Sequence, residues 1–72
     1  MTAQEWIAAF AAALGVEPPD DATTAQLLAL AGVAAHASER TAAPLACWLA
    51  GRAGVTPEAA MAVARSLPSP TP

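Results

Sequence analysis

Large apolar side chains recur every three or four residues near the start of the chain, which is the spacing of one face of an α-helix. This pattern predicts a first helix from Ala3 to Leu14. Thr2 and Glu5 have the spacing of a capping box, in which each side chain accepts a hydrogen bond from the other residue's backbone N–H. Gly15 suits the left-handed position that ends many helices. The apolar stripe consists of Trp6, Ile7, Phe10 and Leu14.

A second and a third helix are predicted on either side of a very short connection. The second begins near Thr23 or Thr24, either of which is a good N-cap, and ends within residues 38–40. The third begins after Thr41, so that Pro44 lies in its first turn, where a missing backbone N–H costs nothing. One side of this helix then carries Leu45, Trp48, Leu49 and Arg52. The near absence of a loop predicts that these two helices meet at a sharp angle.

The fourth helix, which follows the predicted end of the third helix, has the clearest start signal. The end of the third helix is marked by Gly51 and Gly54. Thr56 is then a good N-cap, and Pro57 occupies the first helical position, which it favours. The last apolar position of this helix is Leu67.

Four short helices with short connections predict an all-α fold, a compact antiparallel bundle of four short helices. The predicted organisation is a single helical domain over residues 1–67, followed by a disordered Pro-rich tail over residues 68–72.

Alanine dominates the hydrophobic content and strengthens the helical prediction. The chain has 72 residues, and 22 of its 40 hydrophobic residues are alanine, which has the highest helix propensity. A domain of this size buries only about 60% of the surface of its unfolded chain, so it often needs further stabilisation. One cysteine and one histidine exclude an internal disulfide and a Cys/His metal cage. The remaining sources of further stabilisation are oligomerisation and binding to a larger partner.

Charge excludes further classes of function. The net charge is −3, there is no lysine, and the only cationic residues besides His36 are Arg40, Arg52 and Arg65. A nucleic acid or an anionic membrane surface would require a basic patch, which the sequence lacks. No apolar run approaches the roughly 20 residues that span a bilayer. The beginning of the chain does not resemble a signal peptide, so a cytoplasmic protein is expected.

The compact polar cluster of the sequence is His36, Glu39 and Arg40. At spacings of three and four residues these side chains share one face of a helix. One hypothesis is a recognition patch, since a guanidinium suits a carboxylate or phosphate. The other, which we favour, is structural: Arg40 would bind backbone carbonyls, and Glu39 the free N–H groups near Thr41. A catalytic His–Glu pair would need a pocket that four short helices seldom enclose.

Three other side chains have a structural and a functional interpretation. Cys47 is expected to be a small buried hydrophobe rather than a nucleophile, because His36, the one candidate base, is three helical turns away in the sequence. Trp6 and Trp48 are expected to anchor the bundle core. The alternative is that one of them is partly exposed and forms a hot spot for a partner.

A combination of motifs extends over most of the chain. Glu5-Trp6 is followed by alternating alanine and large apolar residues, and the centre carries His36, Glu39-Arg40 and Ala43-Pro44-Leu45. This arrangement, from about Thr2 to Leu67, resembles a family of small alanine-rich helical domains of unknown function from high-GC Gram-positive bacteria. Members similar to this chain occur alone or at the C-terminus of molybdenum cofactor guanylyltransferases. The resemblance implies an accessory role in cofactor loading or molybdoenzyme assembly, and it implies no catalytic residues.

One departure from the family pattern bears on His36. Similar members have an acidic residue shortly before the histidine, where this chain has Gly32-Val33. The departure argues against a paired acid acting on His36.

The leading hypothesis is a non-catalytic interaction domain without a cofactor or metal. In this hypothesis the partner is a larger protein, a molybdenum cofactor guanylyltransferase or a molybdoenzyme, and it would bind at His36, Glu39, Arg40 and Pro44. The alternative is a self-associating structural protein, a homo-oligomer with no molybdenum link. A third hypothesis, a minimal enzyme using His36 with Glu39 or Cys47, has the least support, so we do not expect an enzyme.

Overall fold

The computed structural model describes residues 1–68, and that part of the chain is all-α. It contains four helices: α1 Ala3–Leu14, α2 Asp21–Ala37, α3 Ala42–Ala53 and α4 Pro57–Ser66. The predictions of an all-α fold and of four short helices are therefore confirmed. The predicted tail lies outside the described residues, apart from Pro68.

The predicted boundaries of α1 are confirmed together with their causes. Thr2 Oγ1 accepts a hydrogen bond from the Glu5 N–H at 3.1 Å, and Glu5 Oε1 accepts one from the Thr2 N–H at 3.0 Å. The hydrogen bond from the Thr2 N–H stabilises the charged carboxylate and holds the pKa of Glu5 below its usual 4.5. At the other end, Gly15 has a φ of 77° and ends the helix.

The predicted start of α2 is wrong, because an earlier residue caps the helix. Asp20 is the N-cap, and its carboxylate accepts a hydrogen bond from the Thr23 N–H at 2.7 Å. This contact lowers the pKa of Asp20 below its usual 3.8. Aspartate and threonine both cap well, but a carboxylate also gains from the positive end of the helix dipole. Thr23 thus lies inside the first turn rather than before it.

The starts of α3 and α4 agree with prediction, but only α4 has a side-chain cap. Thr41 precedes α3 in a helical conformation and makes no capping hydrogen bond. Thr56 Oγ1 accepts a hydrogen bond from the Ala59 N–H at 3.1 Å. Gly54 ends α3 with a φ of 72°. Gly51, which was expected to mark that end, lies within the helix.

Helix α2 is the centre of the packing. It contacts both α3 and α4, which touch each other over a much smaller region. Within residues 1–68, no Cα atom of α1 comes within 8 Å of a Cα atom in another helix. The residues buried in this part of the chain are Ala11, Leu30 and Ala50. The protein's own core is therefore small and lies along α2.

The expectation that both tryptophans anchor the core is wrong. Trp6 is 53% exposed and Trp48 is 64% exposed. Trp48 lies about 160° around α3 from the buried Ala50, so its ring faces away from the core. Trp6 stacks instead on Phe10 of its own helix, with 5.1 Å between the ring centroids.

Candidate functional site: the α2–α3 junction

The predicted polar cluster lies at the junction of α2 and α3 but does not share a helix face. His36 is in the last turn of α2, whereas Glu39 and Arg40 follow the end of the helix at Ala37. Ser38 leaves the helical conformation, with a φ of −140° and a ψ of −102°. The shared-face prediction is therefore wrong, because it assumed that the helix continues through Arg40.

Backbone carbonyl oxygens, rather than the Glu39 side chain, accept hydrogen bonds from N–H groups at the start of α3. The Ala42 N–H donates to the Glu39 carbonyl oxygen at 2.9 Å, and the Ala43 N–H donates to the Arg40 carbonyl oxygen at 3.1 Å. No side-chain hydrogen bond within residues 1–68 involves His36, Glu39 or Arg40. All three residues are exposed. Their side chains are thus available to another molecule.

An apolar surface on α3 begins where this polar cluster ends. At about 100° per residue, Pro44 and four further residues fall within about 140° of the helix circumference. Along the helix axis Trp48 lies midway between Pro44 and Arg52, about 6 Å from each. All are exposed, although each of the three large apolar side chains could fill a core. We call this surface the α3 face; it consists of Leu45, Trp48, Leu49 and Arg52, and it adjoins Pro44.

The sequence pattern predicts the α3-face residues on one side of a helix, but only Trp48 was considered as a contact residue, in the alternative interpretation of the tryptophans. The available signal was their spacing of three, four and seven residues. Such spacing identifies an apolar face, yet it does not tell whether the same chain or another one covers it.

The opposite side of α3 packs on α2 and separates Cys47 from His36. Cys47 Sγ lies 3.9 Å from the carbonyl oxygen of Leu27. His36 is nine positions after Leu27 in α2, which corresponds to about 13 Å along the helix axis. The half-buried cysteine therefore takes a packing position close to the one expected, and it does not form a Cys–His pair.

Three further observations on the described residues bear on ligands and membranes. A groove of about 670 Å³ runs between α1 and the start of α2, with Ile7 and Leu28 among its apolar walls. No group of three or more His, Cys, Asp or Glu residues in this part of the chain is placed to hold a metal ion. None of its helices combines the length and the apolar character that crossing a membrane requires.

Comparison with known proteins gives a family but no activity. The profile of a domain of unknown function (DUF6457) matches residues 1–69. No curated protein and no solved structure matches the chain. The family match extends over almost the whole sequence, including all four helices and the α2–α3 junction. The chain therefore belongs to the DUF6457 family of domains of unknown function.

Proposed function

We propose that this protein is a non-catalytic interaction domain that binds a larger protein through the α2–α3 junction and the α3 face. The observation that carries the proposal is the exposure of Trp48, at 64%, between Leu45 and Leu49. The polar side chains of His36, Glu39 and Arg40 border this apolar surface and are free of hydrogen bonds within residues 1–68.

The composition of this surface is that of a contact site. Tryptophan and arginine are enriched among the residues that dominate binding energy, and an apolar centre with a polar rim is the usual anatomy of an interface. Trp48 supplies the apolar centre, while Arg40 and Arg52 supply the rim. An exposed helix face of this type fits an apolar groove on the partner.

Charge indicates what the partner's groove carries at its edge. The chain has a net charge of −3, yet two of its three arginines, Arg40 and Arg52, lie at this surface. Guanidinium groups bind carboxylates in a bidentate geometry. The partner protein therefore has an apolar groove with acidic residues at its edge.

The non-catalytic part of the proposal rests on how the nucleophilic and basic side chains are arranged. Cys47 packs beside Leu27, far along α2 from His36. Glu39 lies outside the helix that holds His36, so their predicted adjacency on one helix face is lost. No side-chain hydrogen bond within residues 1–68 joins His36 to Glu39 or to Cys47, which supports a non-catalytic role.

The identity of the partner is a finer proposal with a different basis. We propose a cytoplasmic role in molybdenum cofactor biosynthesis, with a molybdenum cofactor guanylyltransferase or a molybdoenzyme as the partner. This step depends entirely on the resemblance of Glu5-Trp6, His36, Glu39-Arg40 and Ala43-Pro44-Leu45 to domains found beside such enzymes.

Affinity capture with matched variants tests the proposal. The tagged protein is isolated from its native cells, and the accompanying proteins are quantified by mass spectrometry. We expect a stoichiometric partner that is lost with His36→Ala/Arg40→Ala and with Trp48→Ala. It is retained with Arg65→Ala, which removes the third arginine, on α4. Circular dichroism confirms that each variant remains helical.

The outcomes separate the two levels of the proposal. A junction-dependent partner that is not a molybdenum enzyme supports the interaction domain and refutes the molybdenum role. Equal recovery of the same proteins with all variants refutes the α3 face as the binding surface. Unfolding of the double variant would instead show that the junction is structural, and Trp48→Ala then tests the surface alone.

A further inference from the structure

Helix α1 presents a second apolar surface that nothing in residues 1–68 covers. Trp6, Phe10 and Leu14 lie within about 80° of one another around the helix and are exposed by 53%, 48% and 61%. No other helix of the described chain has a Cα atom within 8 Å of α1. We call these three residues the α1 stripe.

The total surface of the protein is larger than is usual for a folded monomer of its mass. Its accessible area is 5607 Å², whereas the scaling for folded monomers gives about 4,100 Å² at 7.2 kDa. The excess is about 1,500 Å². Four residues of fully unfolded chain expose only about 550 Å² on the corresponding scaling, so the last residues cannot account for it.

This excess has the size of an obligate homodimer interface. Removing about 1,500 Å² from each of two copies would bury about 3,000 Å² in total, within the range of obligate homodimers and above that of transient encounters. Two-fold dimers are the most common oligomers, and each copy uses the same surface in them. A surface that pairs with itself must therefore be self-complementary in shape and charge.

The α1 stripe meets this requirement. Glu5 is the one charged residue of α1, and it lies about 140° around the helix from Phe10. With two antiparallel α1 helices crossing at Phe10, the two Glu5 positions are about 15 Å apart along the axis. In the same arrangement Trp6 of each copy faces Leu14 of the other.

We infer that a second copy of this chain covers the α1 stripe, in a two-fold dimer whose antiparallel α1 helices cross near Phe10. The α1 stripe has no charged residue that would repel the same stripe of the second copy. The neighbouring Ala3 and Ala13 allow the two helices to approach closely. The apolar groove between α1 and α2 continues this surface through Ile7 and Leu28. The second α1 covers the groove as well. This inference does not depend on the proposed function, because it uses a different helix.

Sedimentation of the full chain over a wide concentration range tests the dimer. We expect twice the 7.2 kDa mass of the single chain. Phe10→Glu should weaken the dimer at least about 30-fold, the loss that defines a binding hot spot. Ala12→Glu adds the same charge to the opposite side of α1 and should leave the dimer intact. A strict monomer at micromolar concentrations, or a folded Phe10→Glu variant that still dimerises, overturns the inference.

Disulfide trapping gives a second test that does not require a destabilising charge. Cys47 is the only cysteine, so Cys47→Ala provides a cysteine-free background. Phe10→Cys in that background should form a covalent dimer under mild oxidation, because the two-fold axis brings the two positions together. Ala12→Cys should not. Equal trapping at both positions, or trapping at position 12 alone, contradicts the antiparallel crossing at Phe10.

Capture experiments distinguish this inference from the proposed function. Phe10→Glu should yield a monomer that still recovers the partner of the α3 face. His36→Ala/Arg40→Ala should lose that partner and remain a dimer. If the purified chain is monomeric and Phe10→Glu abolishes capture of a different protein, that protein rather than a second copy covers the α1 stripe, and the inference is wrong.

Discussion

Leu30 is the one large side chain that the described part of the protein buries, with 2% of its surface exposed. It lies in the middle of α2, the helix that contacts both α3 and α4. A domain of 72 residues has about 4–11 kcal/mol of stability in total. A single core leucine is therefore a large share of what keeps these three helices together.

We predict that Leu30→Ala lowers the free energy of unfolding by about 2–5 kcal/mol, through lost burial and the cavity left behind. Leu67→Ala is the matched control, because Leu67 is 65% exposed and loses the same atoms. Its expected effect is within about 0.5 kcal/mol. Urea unfolding followed by circular dichroism measures both. Similar losses for the two variants would show that the core does not centre on Leu30.

The capping carboxylates make stability depend on acid. The pKa values of Glu5 and Asp20 are lowered by hydrogen bonds from Thr2 and Thr23. Their contribution is complete above their unfolded pKa values and is lost as the pH falls through the lower folded values. We expect the melting temperature to fall between about pH 5 and pH 2.

Asp20→Asn isolates one of these two contributions. Asparagine caps a helix as well as aspartate does but does not titrate in this range. The variant should therefore lose less stability than the wild type on acidification, while the share due to Glu5 remains. An identical acid dependence for the two proteins would show that the Asp20 carboxylate does not cap α2 in solution.

Caps were predictable at the residue scale where one candidate stood alone. Thr2 with Glu5, and Thr56 with Pro57, have no competitor nearby, and both were predicted correctly. At the start of α2, two aspartates and two threonines compete within five residues, and the sequence pattern favoured a threonine over Asp20. The outcome depends on small differences in hydrogen bonding and in interaction with the helix dipole.

At the scale of the elements, two glycines near the end of α3 have opposite roles. Gly51 lies inside the helix, whereas Gly54 ends it with a φ of 72°. A Cβ atom at either position would meet no atom within 4 Å. Any difference between alanine substitutions must therefore come from backbone conformation.

We predict that Gly51→Ala stabilises the protein by about 0.5–1 kcal/mol, because alanine loses less backbone entropy in a helix. Gly54→Ala should destabilise it by about 1–2 kcal/mol, because an L-residue is strained in the left-handed region. Thermal unfolding of the pair measures the difference. The same sign for both variants would contradict the assigned end of α3.

The helices themselves were predictable, but the partners of their faces were not. Periodicity correctly placed Leu45, Trp48 and Leu49 on one side of α3. Whether that side meets the same chain depends on the angle and distance between helices, which a periodic pattern does not contain. The prediction that the polar cluster shares one helix face failed for a related reason, because α2 ends at Ser38, about one turn before Arg40.

At the scale of the whole molecule, the high alanine content affects which large side chains are buried and which are exposed. Small residues bring α2, α3 and α4 together and leave little volume between them. Six of the exposed large apolar side chains lie in two separate groups, three in the α1 stripe and three in the α3 face. The composition indicated a need for further buried surface, but the position of α1 relative to the other helices could not be read from it.

Each surface contains one tryptophan, so fluorescence can follow the two surfaces separately. Trp48→Phe leaves Trp6 as the only indole, and Trp6→Phe leaves Trp48. Phenylalanine keeps an aromatic ring at the substituted position. Quenching by acrylamide measures how far water-soluble molecules reach the remaining ring.

The most direct test of the account is acrylamide quenching of these two single-tryptophan variants across a dilution series of the purified protein. We predict that Trp48 is readily quenched at every concentration and that Trp6 becomes protected as the concentration rises. Strong protection of both rings in the most dilute, monomeric samples would contradict the account, because it would place the tryptophans in the protein's own core.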